Sequence, residues 1–212
     1  MGRNAGGTWA KVGNTSVAID ANGKRLSKAQ TAAMIASAEP LGSLKHREVT
    51  LQLQKGISRY EAVMGVRERN IKVANFEGSF GVTYVNENGS DGIYLNKAFF
   101  NRHRNVVERE YKKQYTSGYK NVTNKPIQHT ITHELAHATW NTSYSKPKYV
   151  AAGNEIKSLY RAWSRDKKKT GYGAYATKNV NEFWAEVVTK GIHGNSDKYT
   201  KKAISIAKKY KL

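Results

Sequence analysis

The stretch His133-Glu134-Leu135-Ala136-His137 decides how this chain is read. Residues four apart on a helix share one face, with Cβ atoms about 5–6 Å apart. Two imidazoles at that spacing can reach one zinc ion at about 2.0–2.1 Å. Glu134 sits beside them, placed to take a proton from a metal-activated water. His133 and His137 are therefore candidate ligands, and Glu134 is a candidate general base. The surroundings favour a helix here. Asn124 is a candidate N-cap, and Pro126 falls in the first turn, where a missing N–H costs nothing. Ile127, Ile131, Leu135 and Ala138 recur at helical spacing as an apolar stripe separate from the histidine face.

A catalytic zinc site takes three protein ligands and leaves the fourth position for water. The chain has no cysteine, so thiolate ligands are excluded. Downstream of His137 the candidates are Glu155, Asp166, Glu182, Glu186, His193 and Asp197. Glu155 lies on an expected helix from Lys148 to Arg165. Glu182 and Glu186 are spaced i, i+4, so one helix face carries two carboxylates. One could bind the metal while the other orients a ligating histidine. Asn179-x-x-Glu182 is also a capping box, which would employ Glu182 without any metal.

The segment Tyr175-Ala176-Thr177-Lys178-Asn179-Val180-Asn181-Glu182-Phe183-Trp184-Ala185-Glu186 resembles one in the anthrax lethal factor-type zinc peptidases. It shares the pattern Tyr-x3-Asn-x2-Glu-Phe-aromatic-Ala-Glu, with Trp184 as the second aromatic. The long gap between His137 and Glu182 is similar too. The resemblance covers residues 126–190 and none of the chain before Lys125. It implies Glu182 as third zinc ligand, Glu186 as the carboxylate behind a ligating histidine, and the Tyr175 hydroxyl as an oxyanion stabiliser.

The other histidines fit less well. His129 extends the ladder to His-x3-His-x3-His, but the outer two are about 12 Å apart along a straight helix axis and cannot share an ion. It reads as a core-edge or substrate-cleft residue. His46, His103 and His193 have no ligand-like spacing and read as structural or surface residues.

At 212 residues the chain suits one sizeable core, and 39% hydrophobic content suits a globular domain. No apolar run approaches 18 residues, so no membrane span is expected. The opening Met1-Gly2-Arg3-Asn4-Ala5-Gly6-Gly7 lacks the apolar core of a signal peptide. Localisation stays open, as does oligomeric state, and the chain could be one domain of a longer polypeptide. Lys and Arg number 36 against 16 Asp and Glu, a net charge of +20. That favours non-specific contact with nucleic acid or acidic surfaces, and it concerns partners rather than chemistry.

Along the chain, residues 1–25 read as irregular or as one edge strand. Ser27-x-x-Gln30 and Ser58-x-x-Glu61 read as capping boxes opening helices that end near Glu39 and Arg69. Residues 71–73, 80–85 and 93–95 read as strands, with 86–92 as a hairpin turn. The strand ending at Asn96 is a candidate edge for pairing with an extended substrate. Helices follow from Asn101, the last a Lys-rich one from Ser196. The expected fold is a helix-rich α+β domain, zincin-like, with a small sheet packed ahead of the active-site helix. The expected function is zinc-dependent peptide hydrolysis, with a protein or peptide as substrate. Two rivals remain open. His-Glu-Leu-Ala-His-Ala is also similar to SprT-like proteases acting near DNA, and the charge alone would suit a nucleic-acid-binding or virion structural protein.

Overall fold

The computed structural model describes residues 6–12, 15–18, 27–68, 70–76, 79–121, 123–168, 171–194 and 196–212. Six strands form a mixed sheet: β1 (Gly6–Val12), β2 (Thr15–Ala18), β3 (Glu39–Pro40), β4 (Ile71–Ala74), β5 (Gly81–Asn86) and β6 (Gly89–Asn96). Their order is β2-β1-β5-β6-β4-β3. The β1–β5 and β4–β6 pairs are parallel and the others antiparallel. Around the sheet lie α1 (Lys28–Ala36), α2 (Arg47–Met64), α3 (Lys97–Phe100), α4 (Arg104–Thr116), α5 (Pro126–Thr139), α6 (Pro147–Arg165), α7 (Val180–Ile192) and α8 (Lys198–Tyr210). The fold is helix-rich α+β, as expected.

Successive side chains of a strand point to opposite faces, and β6 shows what that achieves. Ile93 and Leu95 enter the larger core, which also holds Ile131, Leu135, Phe183 and Trp184. Tyr94 turns to the other face and packs with Met34, Val82 and Val85. Gly81 and Thr83 of β5 lie on the α5 side. That side is where the sheet meets the histidine-bearing helix.

Several expectations need correction. β6 is not an edge: β5 and β4 flank it, because the chain enters β4 before the hairpin and pairs with β6 in parallel. The hairpin turn shrinks to Glu87 and Asn88, since Asn86 already pairs with Gly89. Polar Ser90 and Asp91 still offer backbone groups to the ladder, which is all that pairing requires. Ser58 opens no helix. It lies inside α2, where Val49, Leu53, Gly56, Tyr60 and Met64 face the core at helical spacing. The Ser27 capping box is present, but its helix ends at Ala36, and Glu39–Pro40 join the sheet instead. At the N-terminal end, β1 and β2 form a hairpin, and the rest of residues 1–25 lies outside the described residues.

The N-cap of α5 is Lys125 rather than Asn124. Pro126 takes the first helical position, and a residue preceding proline is driven out of the helical region. Every residue of α5 except Ala138 is buried, so the helix has no solvated face and its histidines sit in the interior. It packs against α2, α7, β5 and β6. The Trp184 indole N–H donates to the Ala136 carbonyl at 3.1 Å, fixing α7 against the middle of the motif. No described helix is long and apolar enough to cross a membrane.

Candidate metal centre

His133 and His137 project from α5 and Glu182 from the first turn of α7. His133 Nε2 lies 3.1 Å from His137 Nε2 and 3.2 Å from Glu182 Oε2. His137 Nε2 lies 3.3 Å from the same oxygen. Ligands bonded to one tetrahedral zinc at 2.0–2.1 Å stand about 3.3–3.4 Å from one another. The triangle therefore fits a single ion, and the three side chains are together able to hold one. Glu182 Oε2 is buried and has no hydrogen-bond donor. An orphaned carboxylate oxygen is costly in the interior unless a cation meets it. Burial alone would raise the Glu182 pKa, yet the His137 and His133 imidazoles hold it below the usual carboxylate range. The donor set of two imidazoles and a carboxylate suits zinc.

Asn179 caps α7 by accepting from the Glu182 N–H at 3.0 Å. The Glu182 carboxylate faces the histidines rather than returning to the cap. One turn further on, Glu186 is fully buried, with Oε1 2.9 Å from His133 Nδ1. A carboxylate this close favours a proton on Nδ1, and in that tautomer the Nε2 lone pair would face the triangle. Burial would raise the Glu186 carboxyl, but His133, His129 and Lys120 push it down to about 2. The Lys120 ammonium, buried to 5% exposure, stands 3.8 Å from Glu186 Oε1.

Glu134 lies outside the triangle and faces β5. Thr83 Oγ1 donates to its Oε2 at 2.8 Å. Gly81 runs so close that a Cβ there would sit 2.8 Å from Glu134 Cγ and 3.1 Å from Oε1. Sequence reasoning missed Gly81, Thr83 and Lys120. The Gly81-Val82-Thr83 alternation does place the first and third on one face, but only the packed sheet shows that this face looks at Glu134.

Tyr175 arrives on a short 3₁₀ turn, Ala174–Thr177. The chain before it runs alongside residues 118–120. Ala174 N–H donates to Gly118 O and Tyr175 N–H to Tyr119 O, both at 2.9 Å. Gly173 permits that approach, since a Cβ there would lie 2.4 Å from Tyr119 O. The Tyr175 ring is fully buried, its centroid 5.6 Å from that of His133. Two ammonium groups stand over its face, Lys120 at 3.9 Å and Lys178 at 4.4 Å. Burial, then Glu182 and Glu134, raise its pKa well above the usual 10, so the phenol keeps its proton.

The remaining candidates fall elsewhere. His129 is a core residue whose Nδ1 shares a hydrogen bond with Tyr111 OH at 2.5 Å, and burial pushes its pKa down to about 3. His193 is half-buried at the end of α7, between Arg59 and Thr132. Glu155 is tied to Lys209 and Tyr210 on α8. Asp166 is tied to Lys198 and Tyr199, and Asp197 caps α8. These residues and elements define a buried cluster of two histidines and one carboxylate, with a second carboxylate behind one histidine. Compared with known protein families, with curated proteins and with solved structures, the chain matches none.

Proposed function

We propose that the chain is a zinc-dependent metalloendopeptidase of the two-histidine, one-glutamate type. The observation that carries the reading is the triangle of ligand atoms 3.1–3.3 Å apart, with Glu134 held outside it by a different element. The motif resemblance around Tyr175 and Glu182 supports it further. His133, His137 and Glu182 would hold the ion. When bound, zinc supplies Lewis acidity to a water and to a scissile carbonyl. Glu186, balanced by Lys120, keeps the His133 ring in its ligating tautomer. Glu134 takes the proton of the attacking water and returns it to the leaving amine, with one carboxylate oxygen anchored by Thr83. The protonated Tyr175 hydroxyl donates to the oxygen on which negative charge develops.

The test combines metal analysis with a mass-spectrometric screen of a diverse peptide library. Wild type should carry one zinc per chain and cleave internal peptide bonds. Glu134→Gln should keep the zinc and lose about 10²–10⁴-fold in rate, the usual contribution of a positioned base. Cleavage by Glu134→Gln at the wild-type rate would remove Glu134 from the mechanism.

A further inference from the structure

His46 and His103 occupy the N-caps of α2 and α4, and neither ring makes a capping bond. N-caps usually carry Ser, Thr, Asp or Asn, whose oxygens accept from first-turn N–H groups. Histidine at both positions leaves two rings with other work to do. They meet in space, with centroids 4.1 Å apart and planes tilted by 51°. Both turn Nδ1 toward one carboxylate oxygen. His46 Nδ1 is 3.5 Å and His103 Nδ1 is 3.8 Å from Glu48 Oε1. The three potential ligand atoms all lie within 4.8 Å of one another.

We propose that His46, Glu48 and His103 form a second, surface metal site, independent of the buried centre, for a divalent transition ion such as Zn²⁺, Ni²⁺ or Cu²⁺. Imidazole nitrogen with one carboxylate oxygen is the donor set these ions prefer over Mg²⁺ or Ca²⁺. The two histidine–carboxylate separations exceed the tetrahedral edge of about 3.3–3.4 Å by a few tenths of an ångström, and the two histidines must also draw together from within 4.8 Å. Glu48 and His103 have side chains 45% and 74% exposed, so both have room to close that difference, although the backbone N–H groups of Glu48 and Arg104 already bond to the Glu48 carboxylate. Two features limit the affinity. Helix N-termini carry partial positive charge, and Lys45, Arg47 and Arg102 are close in sequence. The second ion should therefore bind more weakly than the first. Once bound it ties the start of α2 to the start of α4, residues 57 positions apart that no sequence-local spacing connects.

The test is a calorimetric titration of the full chain with Zn²⁺ at neutral pH. Imidazole NMR spectra of the chain already loaded with one equivalent of Zn²⁺, recorded with a small addition of Cu²⁺, accompany it. Wild type should bind a second, weaker equivalent. His103→Ala and Glu48→Gln, at exposed positions, should lose that equivalent while the first remains. Glu182→Ala should lose the first and retain the second, which separates this site from the proposed catalytic one. Paramagnetic broadening from the weaker ion should fall on His46 and His103. A single equivalent in wild type, or a second that survives His103→Ala, overturns the proposal.

Discussion

Gly81→Ala tests whether the sheet sets the position of Glu134. The new Cβ would stand 2.8 Å from Glu134 Cγ, 3.0 Å from Cδ and 3.1 Å from Oε1. Carbon atoms in contact prefer about 3.5–4.0 Å, so Glu134 must retreat by about 0.7–1.2 Å or β5 must move away. Retreat is resisted by the Thr83 hydroxyl at 2.8 Å from Oε2. A hydrogen bond to a charged group is worth about 1.5–3 kcal/mol. A reacting group misplaced by about 1 Å can cost 10²-fold in rate, and overpacking costs about 1–3 kcal/mol of stability. The expected outcome is a roughly 10²-fold loss of kcat/KM, a modest fall in Tm and no change in bound zinc, because all three ligands sit on α5 and α7. The assay is turnover of a fluorogenic peptide drawn from the library screen, alongside metal analysis and thermal unfolding. If Gly81→Ala binds full zinc and turns over at the wild-type rate, β5 does not position the base.

Glu182→Ala should abolish tight zinc binding, whereas Glu186→Ala should weaken it about 10–100-fold, the usual cost of losing a group that orients a ligand. Equilibrium dialysis reads both, and the reverse order of severity would exchange the two roles. His193 has its pKa pushed down to about 4 by burial, Arg59 and Lys125. An unfolded histidine titrates near 6.5, so between about pH 6.5 and 4 the unfolded chain holds more protons and stability falls as pH falls. Buried His129 acts with the same sign. His193→Gln should narrow the Tm difference between pH 7 and pH 5, and an unchanged difference would remove His193 from the acid sensitivity. Any binding of nucleic acid should be non-specific and steeply salt-dependent, losing about 10³–10⁵ in affinity from 50 to 200 mM salt if 6–10 phosphates are contacted. Fluorescence anisotropy measures this, and sequence-specific binding that persists at high salt, with no zinc bound, would favour the nucleic-acid-binding alternative.

What could be read in advance followed the range of the physical signal. His133 and His137 share a helix face by spacing alone, and the i, i+4 pair Glu182 and Glu186 does the same on α7. The structure brings His133, His137 and Glu182 into one triangle. Glu182 was singled out as the candidate third ligand through a motif resemblance, since six downstream residues could have supplied one. Groups that arrive from distant parts of the chain left no local mark. Thr83 meets Glu134 across 51 positions and Lys120 meets Glu186 across 66. The edge assignment of β6 failed for the same reason, because strand order in a sheet is set by non-local pairing. The Asn124 cap failed locally, where proline geometry overrode side-chain preference. The apolar stripe of α5 lies in the core, but its polar face is buried as well, which spacing does not reveal; Thr132, for one, is accommodated there by donating to a carbonyl one turn back.

The depth of the ligand set has a kinetic consequence. The side chains of His133, His137 and Glu182 are at most 5% exposed. An ion held there is reached by a chelator, as by a substrate, only when the surrounding elements open locally. Loss of metal to excess chelator should therefore proceed at the opening rate of the protein and become independent of chelator concentration. The bound ion would then serve as a clock for an opening event that steady spectroscopic signals do not register. The surface histidine cluster, by contrast, should surrender its ion at a rate that rises with chelator concentration.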